Sequence, residues 1–90
     1  MPPRRVLFED SFGEAAEQFG GYETIDFILD PIVDALYNNP FAFKLIEHNW
    51  VRVRYVITNP VGGIPSLCVY FRIDDQGDVF LYDVDAFEEY

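Results

Sequence analysis

Residues 50–84, WVRVRYVITNPVGGIPSLCVYFRIDDQGDVFLYDV, contain three runs in which apolar residues alternate with others. Val51, Val53, Tyr55 and Ile57 fall on one face of the first run, and Leu67, Val69, Phe71 and Ile73 on one face of the second. Phe80, Tyr82 and Val84 do the same in the third. A period of two sends successive side chains to opposite faces of a strand, so each run predicts a half-buried strand. The connections NPVGGIP (59–65) and DDQGD (74–78) carry the Gly, Pro, Asn and Asp that hairpin loops need. Together they predict an antiparallel meander.

Upstream the period changes. RRVLFEDSF (4–12) opens with β-favouring residues, which predicts a strand over 5–9, and then meets Asp10 and Ser11, both good helix N-caps. The helix they start carries a weakening Gly13 and ends at Gly20 and Gly21. Next, Ile25, Ile28, Leu29, Ile32, Val33, Leu36 and Tyr37 recur at helical spacing, with Asp26, Asp30 and Asp34 on the opposite face. Pro31 inside this pattern predicts a kink, or a break and restart with Asp30 as the new N-cap, and NNP (38–40) predicts the stop. FAFKLIEHN (41–49) reads as a connector. The expected fold is α+β, a short N-terminal strand and a helical hairpin packed on a C-terminal antiparallel β-meander, with about four strands in all, in a single domain over 1–90.

Composition sets the outer bounds. Ninety residues, half of them hydrophobic and 18% aromatic, support one packed core. Sixteen Asp and Glu against six Lys and Arg give a formal charge of −10, which repels nucleic acid unless the few cations gather in one place. One Cys and one His exclude an internal disulfide and leave no ligand set for a structural zinc, so no cofactor is expected. MPPRRVLFED has no long apolar run, and no stretch approaches a membrane span. A cytoplasmic protein with no membrane association is the expectation.

Arg52 and Arg54 stand two apart on the first meander strand. If Ile57 pairs with Leu67 and Asp74 with Val79, the apolar sets share one face. Arg52 then lies opposite Arg72, Arg54 opposite Tyr70, and Tyr70 opposite Asp83. Like charges directly opposite are destabilising by a few tenths to about 1 kcal/mol. This marks Arg52, Arg54, Arg72 and Tyr70 as a candidate site for an anion or an acidic partner, against the simpler reading of a solvated face.

The layout and the stretches DALYNNPFAFKLIE, WVRVRYVIT and LCVYFRIDDQGDVFLYDV resemble the RelE/ParE superfamily of bacterial toxin–antitoxin systems. The resemblance implies a short first strand, a helical hairpin and a C-terminal meander. It also implies basic residues on the first meander strand in the RNA-cleaving members, comparable to Arg52 and Arg54. Those members usually add an Arg at the start of the next strand and a basic residue with Tyr or His near the C-terminus. Here those segments read PSLCVYF and DVDAFEEY, without the cations. Cutting RNA through its 2′-hydroxyl needs a base, an acid and cations for the charged phosphorane. Asp83, Asp85, Glu88 and Glu89 near a phosphate would repel it. The ParE branch acts on DNA gyrase without that set, so the resemblance implies a member that binds a protein partner, an antitoxin or a cellular target. An mRNA interferase, with Lys44, His48 and Tyr90 as possible auxiliaries, is the second reading. An acidic inhibitor or nucleic-acid mimic using the Asp26, Asp30 and Asp34 face is the third. A homodimer is compatible with each.

The remaining features have plainer explanations. His48 beside Glu47 suits proton transfer but also loop packing, Cys68 on a strand behaves as a small hydrophobe, and DDQGD lacks the terminal Glu of a calcium loop. AFEEY sets Phe87 and Tyr90 three apart, where they could dock on a partner or on the protein's own sheet.

Overall fold

Strand β1 (Val6–Phe8) leads directly into helix α1 (Asp10–Ala16) and a 3₁₀ turn over Glu17–Phe19. Helix α2 (Tyr22–Asn38) and a second 3₁₀ turn (Pro40–Ala42) follow, and then strands β2 (Leu45–His48), β3 (Val51–Ile57), β4 (Leu67–Ile73) and β5 (Val79–Ala86). The structure, a computed structural model, describes residues 4–87. The sheet order is β1-β5-β4-β3-β2, with β1 parallel to β5 and every other pair antiparallel. The class is α+β with two helices and a five-stranded mixed sheet. One strand more than the sequence predicts comes from the connector, where LIEH forms β2.

Both helices cover one face of the sheet, here the helix face. Phe12 and Ala16 of α1, with Ile25, Leu29, Ile32 and Leu36 of α2, bury against Leu67, Val69, Phe71, Val79, Leu81 and Val84. Helix α2 runs unbroken through Pro31, so there is no restart at Asp30. Ile25, Ile28 and Leu29 before the proline and Ile32 and Leu36 after it are all buried, and that continuous stripe outweighs one missing backbone donor. The helix stops at NNP, as expected. The residue at the N-cap of α1 is Glu9, which makes no side-chain cap bond, so neither Asp10 nor Ser11 caps. Ser11 Oγ instead donates to the Tyr82 carbonyl across 2.6 Å. Gly20 closes the 3₁₀ turn at φ 94°, where a Cβ would sit 2.5 Å from Thr24 Oγ1.

Two register features overturn the expected face. The Thr58 amide donates to the Leu67 carbonyl, and the Leu67 amide donates back to Thr58 Oγ1, both at 2.9 Å. That exchange sets Ile57 against Cys68, one residue from the expected Leu67. A one-residue slip moves every side chain of β3 to the other face relative to β4. Val56 therefore packs, partly buried, against the core, and Arg52 and Arg54 turn to the helix face. In β5 a bulge separates Tyr70↔Asp83 from Phe71↔Leu81, leaving Tyr82 as the extra residue. Past the bulge Val79 and Leu81 point inward, while Phe80 lies opposite Arg72 on the open face. Ser11 takes the Tyr82 carbonyl at the bulge, which gives that hydroxyl its role.

Candidate functional site

The second strand and its turn form the most exposed apolar feature among the described residues. Asn49 and Trp50 both adopt the left-handed conformation, φ 51° and 67°, in a two-residue turn whose twist suits a hairpin. Asn tolerates that region, but Trp has no such allowance. Trp50 is also 98% exposed, so no packing within the described chain offsets the strain. Next to it, β2 is a free sheet edge carrying Leu45 (50% exposed) and Ile46, with Phe41 (55%) close by in the preceding turn. The Tyr55 amide donates to the Lys44 carbonyl, so even-numbered residues of β2 bond toward β3. By antiparallel alternation, the N–H and C=O of Leu45 and Glu47 point away from the sheet.

The candidate cations divide between the two faces. Arg54, on the helix face, donates to the carbonyls of Phe41 and Phe43 and lies 5.6 Å from the Phe41 ring centre. Arg4 approaches the same ring at 6.0 Å, with its Nη1 buried and unpaired. Arg52 sits across from Glu47 of β2 rather than from Arg72. Arg72 projects from the open face, where it pairs with Glu9 and stacks 5.2 Å over Phe80. The expected row of Arg52, Arg54, Arg72 and Tyr70 on one face is thus not formed. A shallow cleft of about 190 Å³ is lined by Phe41, Leu45, Arg52, Arg54, Arg72 and Asp74. Two of its three arginines are committed to internal partners. Arg4, Lys44 and Arg52 form no ion pair among the described residues.

His48 and Tyr70 meet on the open face. The imidazole stacks on the Tyr70 ring at 3.6 Å and 8°, and its Nε2 lies 2.7 Å from Asp83 Oδ2. Tyr82 approaches edge-on at 6.4 Å. Because β2 is two strands from β4, this contact requires the β2–β3 hairpin to curl over the open face. Val53, on the same side, is 1% exposed. Burial raises the Cys68 thiol above its ordinary value; the hydrogen bond with Tyr70 lowers it by less, and Asp85 and Asp83 raise it further. Burial, and then the hydrogen bond with Cys68, raise Tyr70 as well. Both groups are held protonated at neutral pH, so neither is a ready nucleophile or base.

The chemistry available follows from this partition. The unpaired cations Arg52 and Lys44 belong to the hairpin edge, while the proton-transfer group His48 faces the other way and is held by Asp83. The expected auxiliary Tyr90 lies outside the described residues, as do Glu88 and Glu89. Among the described residues no group of three or more His, Cys, Asp or Glu is placed to hold a metal, and no helix is long and apolar enough to cross a membrane. The sequence carries no signal of the strained Trp50 turn, because a two-residue turn inside EHNWV has no glycine to mark it. Comparison with protein-family models, with curated proteins and with solved structures returned no match to the chain.

Proposed function

We propose that this protein acts by binding a protein partner along the β2 edge, as a RelE/ParE-like module that works by association rather than by RNA cleavage. The observation that carries the reading is the hairpin tip, where a fully exposed Trp50 is held in a left-handed turn beside a free, apolar strand edge. Such an arrangement has an energetic cost for the isolated chain and a use only when something covers it. The occupant is an extended segment that adds a sixth strand, bonding to the outward N–H and C=O of Leu45 and Glu47 and seating apolar residues on Leu45, Ile46 and Trp50. Lys44 and Arg52, which form no ion pair among the described residues, lie along this edge, so the segment carries acidic residues at its rim.

The reading takes its layout from the resemblance, which implies a short first strand, a helical hairpin and a C-terminal antiparallel meander, and the element order is compatible with that. The ribonuclease reading is disfavoured by the separation of Arg52 and Arg54 from His48 and Tyr70 on opposite faces. Co-expression with the protein encoded beside this one tests the proposal. A stable complex is expected, weakened about tenfold or more by Trp50→Ala and by Leu45→Lys. A complex indifferent to both variants, or RNA cuts in primer extension that depend on Arg52, would overturn it.

A further inference from the structure

The stretch RRVLFED (4–10) is antisymmetric in charge, with two cations, then three apolar residues, then two carboxylates. Its apolar centre is β1, the end strand of the sheet on the side away from β2. Two bonds fix which way the β1 backbone points. The Val79 amide donates to the Arg5 carbonyl at 2.8 Å, and the Glu9 amide donates to the Leu81 carbonyl at 3.0 Å. Odd-numbered residues of this segment therefore bond toward β5, and by the alternation of the ladder the N–H and C=O of Val6 and Phe8 point away from the sheet.

Side chains divide by the same parity. Val6 packs against the core, and Phe8 meets Phe12 and Tyr22 on the helix face, with ring centres 5.5 and 5.3 Å away. Arg5, Leu7 and Glu9 occupy the open face, where Arg72 pairs with Glu9. Arg5 binds Asp78, yet its side chain stays 65% exposed. Leu7, Phe8 and Tyr22 are exposed as well, so apolar surface and outward backbone groups coincide at this edge. Native sheets block such edges with inward charge, Lys or Pro. Here charges of opposite sign stand at the two ends and leave the centre apolar.

We infer that the β1 edge pairs with the β1 edge of a second copy, antiparallel about a two-fold axis through Leu7. Such an isologous contact sets residue i of one copy against residue j of the other, and j against i. Outward-bonding residues must meet outward-bonding ones. Val6 on Val6, Phe8 on Phe8, and Val6 on Phe8 are the registers that bring them together. The first sets Arg5 against Leu7, and the second sets Leu7 against Glu9. Only the last sets Leu7 against Leu7 and Arg5 against Glu9 at both ends. Val6 and Phe8 then exchange backbone bonds on each side of the axis. Asp78, Arg5, Glu9 of the second copy and Arg72 of the second copy form a chain of alternating charge. Arg4 is turned to the Phe41 ring of its own chain and takes no part. The two five-stranded sheets join into one, with β2 left free at each outer end. This pairing does not rest on the reading of the β2 edge.

Sedimentation equilibrium on the full chain should show a monomer–dimer equilibrium and no larger species. Leu7→Lys, at an exposed position, puts like charges on the axis and should weaken the dimer at least about tenfold while leaving the urea midpoint of the monomer nearly unchanged. Arg5→Glu and Glu9→Arg each set like charges opposite in a self-pair, so each variant alone should stay monomeric where the unchanged chain dimerises. Mixed together they should associate, because both cross pairs are then attractive. Isotope-filtered NOEs between labelled and unlabelled copies read the register, and are expected between Leu7 and Leu7 and between Val6 and Phe8. A chain still monomeric at about 1 mM, a dimer without those NOEs, or a dimer indifferent to Leu7→Lys would overturn the inference. So would folded charge variants that fail to associate when mixed, or species that grow past the dimer, since β1 would then be pairing with β2 of the next copy.

Discussion

Trp50 holds a position that favours glycine. A left-handed conformation costs a bulky L-residue about 1 kcal/mol or more, and its ring is almost wholly in water. Trp50→Gly is expected to stabilise the isolated protein by about 1 kcal/mol, read as a higher urea midpoint, while weakening the partner complex. A variant that improves the fold and harms binding is the signature of a residue kept for association. Ser11 makes the opposite case. Its hydroxyl satisfies the Tyr82 carbonyl at the β5 bulge, so Ser11→Ala should cost about 1 kcal/mol with no effect on binding. Asp78 accepts from the Arg5 amide at 2.9 Å and from its guanidinium at 3.0 and 3.3 Å. Those bonds, the backbone one foremost, hold its carboxyl below the ordinary value. A depressed carboxylate stabilises the fold above its unfolded value of about 3.9 and loses that contribution as pH falls through the folded one. The stability gap between the protein and Asp78→Asn should therefore be present at neutral pH and close in acid, as chemical denaturation across pH will show.

At the scale of elements, the sequence exposes most where burial is one-sided. The α2 stripe from Ile25 to Leu36, its stop at NNP and the β4 alternation are legible because each buries one continuous face. The β2 strand is not, since LIEH is four residues on an edge with apolar and charged side chains all exposed, so no period marks it. The β3 register was lost for a local reason: Val51, Val53, Tyr55 and Ile57 do form an apolar face, but the hairpin curl covers part of it while Thr58 locks the strand one step over. A side-chain hydroxyl bonding a backbone amide nine residues away leaves no periodic trace. The β5 bulge hid the change of face between Leu81 and Val84 in the same way. For the candidate site, the sequence located the arginines but not their directions, because face assignment depends on a register that one bond decides. His48 illustrates the hairpin as a unit. Removing its stack on Tyr70 and its bond to Asp83 by His48→Ala should destabilise the fold by roughly 1–2 kcal/mol and loosen the curl, seen as faster amide exchange across β2 and β3.

For the molecule as a whole, the charge of −10 is unevenly placed. Arg4, Lys44, Arg52 and Arg54 collect around Phe41 and the β2 edge, whereas α2 carries Glu23, Asp26, Asp30 and Asp34 without a cation. On the proposed reading, association at the β2 edge should weaken with salt less than its charge alone implies, since backbone bonds and apolar contact carry much of it. Cys68 is sealed within the sheet and held as a thiol, so iodoacetamide should modify it slowly in the folded protein and quickly in denaturant. The central claim is that a partner adds a strand to β2. Amide hydrogen exchange of Leu45 and Glu47, whose N–H groups point away from the sheet, tests it most directly. In the isolated chain both should exchange as unprotected amides, and in the complex both should slow in step with the Ile46 amide, which already bonds to β3. Unchanged exchange at Leu45 and Glu47 in a stable complex would contradict strand addition at this edge.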